Sequence, residues 1–434
     1  MCTVGLYTLG CKVSQYETEA VSEAFSDAGF SVKSFGEVCD VYVINTCTVT
    51  EESDRKSRQF IHRAERKNPN AHVIVMGCYS ERSADEVLAL PSVSAVIGTH
   101  GKLECVDIAR RLISGELSGR GHNLKKELDG APFEKMSVRS SPRTRAYVKI
   151  EDGCNSKCSY CAIKEARGKI RSKLPEDVIR EVEALASSGA REVVLTGIET
   201  AAYGADFDEK YTLADLLETL DRRRSCERIR LGSLAPELIG EEFARRISGL
   251  KILVPHFHIS VQSGSDSVLA AMRRRYTART ALENIERIRA LVPGATFTAD
   301  IMVGFPSESE EDFLESCAFV TKARLLSAHV FSFSAREGTV AAEMEDISKS
   351  VKKRRNARLT EVVRATRDSV LDGIVGDGET LSCIFETEVR PGLYSAHSDT
   401  FLEVVAESEA DVKGELLDVA PIRHENGVIY GKIL

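Results

Sequence analysis

Three apolar runs near the start of the chain, VGLYTLGC, VYVINTC and HVIVMGC, each end in a cysteine and are separated by helix-like stretches. Strand-then-helix alternation of this kind predicts βαβ units in a parallel sheet. The segment SQYETEAVSEAFSDAG opens on Ser14 as an expected N-cap and ends at Gly29, the usual punctuation of an amphipathic helix. A charged helical stretch then runs to Lys67, and VSAVIG supplies a fourth strand. Strands of a parallel sheet bring their carboxyl ends to one edge, where ligands bind. Cys11, Cys47 and Cys78 sit at three such ends, 36 and 31 residues apart, so their thiols are expected to converge on a shared ligand site.

A second cysteine group is compact. Residues 151–161 read EDGCNSKCSYC and place Cys154, Cys158 and Cys161 in a C-x3-C-x2-C run. From residue 146 on, AYVKI, EVVLTG, RIRLGSL, HFHISVQS, ATFTADIMVG and AHVFSFS alternate with helical stretches, among them PEDVIREVEALASSG, where Pro175 suits the first turn. Consecutive β/α units of this kind predict a partial TIM-like (β/α)6 barrel. The cysteine run then falls in the loop after the first strand, among the strand-end loops that build active sites. A long basic helix over 349–371 leads out of it. Residues 373–434 change to short alternating segments (TLSCIFE, FLEVVA, GVIYGKIL) broken by DG, PG and NG turns, the pattern of a small β-barrel. The expected fold class is therefore α/β. Its parts are a parallel-sheet domain over 1–115, a polar linker over 116–137, the barrel over 138–372 and the small β-barrel over 373–434.

At 434 residues the chain exceeds one ordinary core, and 43% hydrophobic with 29% charged residues is a globular balance. No apolar run approaches the roughly 18–20 residues of a membrane span, and MCTVGLYTLGCK lacks the marks of a signal peptide. A cytoplasmic protein without a membrane partner is expected. Twelve cysteines then speak for thiolate ligands and buried thiols rather than disulfides, with Cys2, Cys39, Cys105, Cys226, Cys317 and Cys383 read as small buried residues. The net charge of −8 conceals an asymmetry. Lys135–Lys173 holds eleven Lys or Arg against three acids, whereas 373–434 holds four against twelve. The basic stretch surrounds the compact cysteine run, which points to an anionic partner there.

Three thiols leave the ligand question open. Zinc normally closes with four ligands, and the nearest further candidates, His256 and His258, would have to come from another strand. That route leads to a non-catalytic, zinc-stabilised RNA-binding protein. A [4Fe–4S] cluster usually takes four thiolates. Three leave one iron with open positions, able to chelate a small molecule that bears an amine and a carboxylate.

A C-x3-C-x2-C run after the first strand of a β/α barrel resembles the radical S-adenosylmethionine superfamily. With the three dispersed cysteines ahead of the barrel and a TRAM-like region behind it, nearly the whole chain resembles the radical S-adenosylmethionine methylthiotransferases. TLGCKV with YETEA, INTCTVT, GCY, ARGKIRS, LTGIE, RIRLGSL, HFHISVQSGSDSVL and DIMVGFP look like the bacterial branch that acts on N6-threonylcarbamoyladenosine at position 37 of tRNA. Related branches act on isopentenyladenosine in tRNA or on a ribosomal-protein aspartate. The resemblance implies a transferase that installs a methylthio group on carbon 2 of the adenine. It implies that Cys154, Cys158 and Cys161 hold a [4Fe–4S] cluster that binds S-adenosylmethionine, cleaved on one-electron reduction to a 5′-deoxyadenosyl radical. It further implies that Cys11, Cys47 and Cys78 hold an auxiliary [4Fe–4S] cluster carrying the sulfur to be transferred. A flavodoxin- or ferredoxin-like electron donor and the tRNA anticodon stem-loop are the implied partners.

The same resemblance assigns cofactor contacts to Tyr160 between two cluster cysteines, to Thr196, Gly197 and Glu199 after the second strand, to Ser260 and Gln262 after the fourth, and to Gly304 after the fifth. Phosphate contacts are expected from Arg167, Lys169, Arg171, Arg273, Arg274 and Arg275. Ser14, Lys164–Glu165, Glu199 and Ser332 depart from the family's usual residues and border the site.

Overall fold

A computed structural model describes residues 2–141 and 143–434. Strands β1 (Thr3–Thr8), β2 (Ser31–Lys33), β3 (Val41–Thr46), β4 (His72–Gly77), β5 (Val93–Val96) and β6 (His122–Asn123) form one parallel sheet in the order β2-β1-β3-β4-β5-β6. β3 is buried at every position, because helices cover both faces and leave no reason for alternation. Helix α1 (Lys12–Asp27) follows β1, α2 (Glu51–Lys67) follows β3, and the short α3 (Cys78–Arg82) starts directly at the end of β4. The expected N-cap at Ser14 is corrected. The helix starts at Lys12 with Cys11 in the cap position and no side-chain cap bond, while Ser14 is buried. Gly10 makes the early start possible. Its φ of +120° turns the chain, and a Cβ there would lie 3.2 Å from Cβ of Cys47.

The linker expected over 116–137 is docked onto both neighbours. His122–Asn123 adds to the sheet beside β5, and the buried Met136 accepts hydrogen bonds at its carbonyl from Tyr16 Oη (2.8 Å) and Lys173 Nζ (3.0 Å).

The central region contains β7 (Arg145–Lys149), β8 (Glu151–Asp152), β9 (Arg171–Ser172), β10 (Glu192–Thr196), β11 (Arg228–Leu231), β12 (Ser233–Leu234), β13 (His256–Gln262), β14 (Thr296–Val303) and β15 (Ser327–Ser332). Two parallel sheets, β11-β10-β7 and β12-β13-β14-β15, curve around the largest apolar core. RIRLGSL, expected as one strand, splits at Gly232 between the two sheets. β7 and β15 are the outer strands, and the N-terminal layer spans the gap between them. α1 packs on β7, while Arg336, just past β15, donates to Thr48 Oγ1 at 2.8 Å and pairs with Asp54 of α2.

A continuous helix over 349–377 leads to β16 (Leu381–Arg390), β17 (Leu393–Ser398), β18 (Glu403–Glu407), β19 (Leu416–Glu425) and β20 (Val428–Ile433), which close into a barrel. This barrel docks on the starting ends of the central strands, opposite the cysteine loop. Glu386 pairs with Arg145 at 3.0 Å, Arg230 Nη1 donates to the Asp399 carbonyl at 3.0 Å, and Phe401 stacks on His256 at 4.5 Å. Part of the acidic region's charge is thereby spent on arginines of the central barrel. No helix of the described residues is long and apolar enough to cross a membrane.

Arg230 also forms a two-pronged pair with Glu192 (2.6 and 2.9 Å), both side chains about 1% exposed. Arg230→Ala leaves Glu192 charged and buried beneath the C-terminal barrel. It is expected to cost about 3–5 kcal/mol, read by chemical denaturation, and to expose the 378–400 region to limited proteolysis.

Candidate active site

The compact cysteine loop is held by backbone contacts. Gly153 has φ +87°, and a Cβ there would overlap the Lys169 carbonyl. The Cys154 N–H donates to the Gly168 carbonyl at 3.1 Å, and Ser159 donates through Oγ to the Ala271 carbonyl and through its N–H to the Met272 carbonyl. Cys154, Cys158 and Cys161 are each half-buried. Burial pushes the Cys161 thiol up to about 11 and raises Cys154 as well. Arg274 Nη1 donates to Cys158 Sγ at 3.3 Å, and that guanidinium is fixed by the Ser260 carbonyl and Tyr276 Oη.

Cys11, Cys47 and Cys78 lie just beyond the ends of β1, β3 and β4, on one edge of the sheet. Cys78 is buried and its thiol is pushed up to about 12, with Arg167 acting against the burial and Cys47 and Cys11 close enough to add to it. Burial raises Cys47 too. Arg167 Nε donates to Cys78 Sγ at 3.2 Å, and its Nη1 donates to Glu17 at 2.7 Å and Asp152 at 3.1 Å. Lys149 bonds the same two carboxylates at 2.8 and 2.7 Å, and Lys102 lies 3.2 Å from Glu17. Burial alone would push Glu17 and Asp152 up, but these cations hold both well below the usual carboxylate range. Both carboxylates are therefore ionised.

Its charge does not close by itself. Arg167, Lys102, Lys149 and Arg171 bring four positive charges against two from Glu17 and Asp152. A buried surplus cation is unfavourable unless an anion sits beside it. Thiolates with the net negative charge of a bound iron–sulfur centre supply that anion, so these residues fit an auxiliary cluster. The compact loop fits a second one: burial disfavours the ionised form of Cys154 and Cys161 until a metal stabilises it, and Arg274 places a cation on Cys158. Among the described residues no three His, Cys, Asp or Glu side chains close on a single metal ion. His256 and His258, considered as zinc ligands, instead share Thr298 Oγ1 at 3.0 and 2.9 Å, and His258 also meets Asp300 at 3.2 Å.

The expected cofactor contacts gather at the carboxyl ends of the strands. Thr196 ends β10 and is buried, and Gly197 lies against Glu151. The Glu199 N–H donates to Glu151 Oε2 at 2.7 Å. Burial, with the charge of Glu237 adding to it, pushes Glu199 up to about 7. Gln262 has φ +67° at an irregular step in the β13–β14 register, strain of the kind stored at functional sites. Tyr160 packs against the apolar cluster of Val268, Met272, Met302, Phe305, Phe333 and Ala341, and Ser260 presents its carbonyl to Arg274. Gly304 faces the Lys352 side chain, which occupies the space its missing Cβ would need.

The expected phosphate contacts divide. Arg167 is fully buried in the ion network, and Arg171 is buried with Nη2 on the Arg167 carbonyl at 2.7 Å. Arg274 is turned to Cys158. All three are corrected, because their charges are used inside the protein. Lys169, Arg273 and Arg275 are exposed, Lys169 beside Asp129 at 3.2 Å. Glu17, Lys102, Lys149, Glu151 and Asp152 are functional neighbours that sequence reasoning missed. Glu17 carried a legible sign, since it interrupts the buried stripe Val13, Tyr16, Ala20, Val21 of α1.

The Radical SAM superfamily matches residues 148–320, and the uncharacterized protein family UPF0004 matches 3–98. The barrel and its cysteine loop therefore define a radical S-adenosylmethionine protein. The chain is 38% identical over 433 residues to threonylcarbamoyladenosine tRNA methylthiotransferase MtaB of Bacillus subtilis (strain 168), covering 96% of this chain and 93% of that protein. It is 35% identical to the enzyme of the same name from Thermotoga maritima, over 93% and 91% of the two chains. It is 30% identical to tRNA-2-methylthio-N(6)-dimethylallyladenosine synthase of Desulforamulus reducens, over 99% and 95%. The chain belongs to the tRNA methylthiotransferase family. Among solved structures, the radical S-adenosylmethionine methyltransferase TsrM from Kitasatospora setae, with cobalamin and a [4Fe–4S] cluster bound, aligns with a TM-score of 0.58. That alignment has 16% identity over 91% of this chain and 80% of that one, a likeness of fold.

After anaerobic reconstitution the protein is expected to hold about eight irons per chain. Replacing Cys11, Cys47 and Cys78 together with Ala, or Cys154, Cys158 and Cys161 together, is expected to leave about half in each case by colorimetric iron assay. Full iron in either triple variant contradicts the corresponding ligand set.

Proposed function

We propose that this chain installs the methylthio group on carbon 2 of N6-threonylcarbamoyladenosine at position 37 of tRNA. The observation that carries this is the presence of two three-thiol sites, one on the barrel loop and one at the sheet edge, joined through the Arg167 segment in a chain that matches tRNA methylthiotransferases over nearly its full length. Relatives named for threonylcarbamoyladenosine reach 38% identity and those named for dimethylallyladenosine reach 34%, which favours the first substrate. When bound, the clusters and S-adenosylmethionine supply the radical, the methyl group and the sulfur that an unactivated aromatic carbon requires.

The chain's own residues hold and orient these groups. Cys154, Cys158 and Cys161 hold the cluster that takes S-adenosylmethionine, and Cys11, Cys47 and Cys78 hold the auxiliary one. Arg274 and Arg167 place a positive charge and an N–H donor on one sulfur of each triad. Glu199 accepts the methionyl amine, beside Thr196 and Gly197, with Ser260, Gln262 and Tyr160 lining the same mouth. The anticodon stem-loop is met by Lys169, Arg273 and Arg275. Phosphates also find a path along the cleft of about 1160 Å³ that Lys135 and Lys169 border. A flavodoxin- or ferredoxin-like protein supplies electrons, and the enzyme works in the cytoplasm.

Nucleoside mass spectrometry of tRNA from a deletion strain tests the substrate. Loss of methylthiolated threonylcarbamoyladenosine alone is expected, whereas its persistence with loss of methylthiolated isopentenyladenosine assigns the other tRNA branch. The role of Glu199 has its own pH signature. In the free protein its carboxyl titrates near 7, and the ionised form is the acceptor for the amine. Its contribution to binding therefore rises with pH through that value and levels off above it. The affinity ratio of wild type to Glu199→Gln for S-adenosylmethionine is expected to grow about tenfold from pH 6 to pH 8, measured by equilibrium dialysis on the reconstituted protein. Titration of the cofactor's own amine is common to both proteins and cancels.

A further inference from the structure

Arg167 does more than neutralise carboxylates. It ends α4 (Ile163–Arg167), the short helix that follows the compact cysteine loop, and is followed at once by Gly168 and Lys169. Its side chain faces the sheet-edge cysteines, with Nε 3.2 Å from Cys78 Sγ. The backbone just after it faces the other group: the Gly168 carbonyl accepts the Cys154 N–H at 3.1 Å, and Gly153 closes against the Lys169 carbonyl. Asp152, which binds the Arg167 guanidinium, is two residues from Cys154. Glu17, which binds it from the other side, is on the helix that Cys11 begins. Arg167 thus has a direct tie to Cys78 and one-step ties to Cys11 and Cys154.

A guanidinium fixed by two carboxylates has little freedom, so its Nε–H is held on the sulfur. Hydrogen bonds to cysteine sulfur stabilise the more negative, reduced state of an iron–sulfur centre and raise its reduction potential. We propose that Arg167 is a positioning residue that joins the two cysteine triads into one rigid site and, through its N–H···S bond to Cys78, sets the potential of the auxiliary centre. Lys149 serves as the control, since it belongs to the same charge network and bonds both carboxylates but is not bonded to a cysteine sulfur.

This inference rests on Cys11, Cys47 and Cys78 being ligands of one centre. The test is made in the full chain carrying Cys154→Ala, Cys158→Ala and Cys161→Ala, so that any iron present belongs to the dispersed triad. If this background binds no iron, the ligand reading fails before Arg167 is altered. If it binds about four, Arg167→Gln, Arg167→Lys and Lys149→Gln are added singly and the centre is titrated reductively with detection by electron paramagnetic resonance. The expected result is retained iron with a more negative midpoint potential in both Arg167 variants, the Gln variant shifting further, and a smaller shift for Lys149→Gln. An unchanged potential, or a Lys149→Gln shift as large as that of Arg167→Gln, overturns the proposal by assigning the effect to buried charge alone. Loss of iron from both Arg167 variants with the fold intact by circular dichroism also overturns it, leaving Arg167 a purely structural support.

Discussion

The arrangement turns on one buried guanidinium. Arg167 has no exposed surface, yet it touches a cysteine of the sheet edge, a glutamate of the first helix and an aspartate beside the barrel's cysteine loop. Removing such a group from water costs several kcal/mol, and attraction inside the protein offsets this only when every partner is in place. The partners Glu17, Cys78 and Asp152 come from three separate stretches of chain, Glu17 lying 150 and Cys78 89 residues before Arg167, so the ion network forms only in the assembled structure. That is why it specifies how the N-terminal layer sits on the barrel. Apolar packing of α1 on β7 supplies adhesion, while the network selects one registration of the two surfaces.

The same charges prepare the chemistry. Thiols buried in an apolar setting remain protonated, as the upward shifts of Cys78, Cys47, Cys154 and Cys161 show. They become ligands only where positive charge or metal offsets the burial. Each triad has one arginine aimed at one sulfur, and the dispersed triad has surplus positive charge beside it as well. The protein therefore carries a charge pattern that an anionic iron–sulfur centre completes. At the opposite end of the barrel, Arg230, Arg145 and Arg228 are occupied by Glu192, Glu386 and Ser382. Basic residues at that end serve docking of the C-terminal barrel, whereas Lys169, Arg273 and Arg275 near the cysteine loop are exposed.

Much of this was legible in the sequence. The strand-end cysteines and the β/α alternation were readable because periodicity and ligand spacing are local properties. The splitting of RIRLGSL between two sheets was not, since barrel curvature breaks a strand that continuous hydrophobicity would extend. Arg167 and Arg171 read as part of a basic surface because a run of Lys and Arg looks the same whether solvated or buried. Only their acid partners decide between the two, Glu17 from 150 residues away and Asp152 from across the cysteine loop. The acid inside the apolar stripe of α1 was the one local hint that a buried cation had to exist. Docking of the acidic C-terminal barrel was equally hidden, because its contacts pair Glu386, Asp399 and Phe401 with residues more than a hundred positions earlier.

Three thiolates per triad would leave one iron of each four-iron cluster without a protein ligand. Mössbauer spectroscopy of the anaerobic, iron-57-reconstituted wild-type protein, before and after addition of S-adenosylmethionine, tests this most directly. Two [4Fe–4S] clusters are expected, with roughly one iron in four of one cluster changing its signal when S-adenosylmethionine binds. A single cluster, a mononuclear centre, or spectra indifferent to S-adenosylmethionine would contradict that expectation.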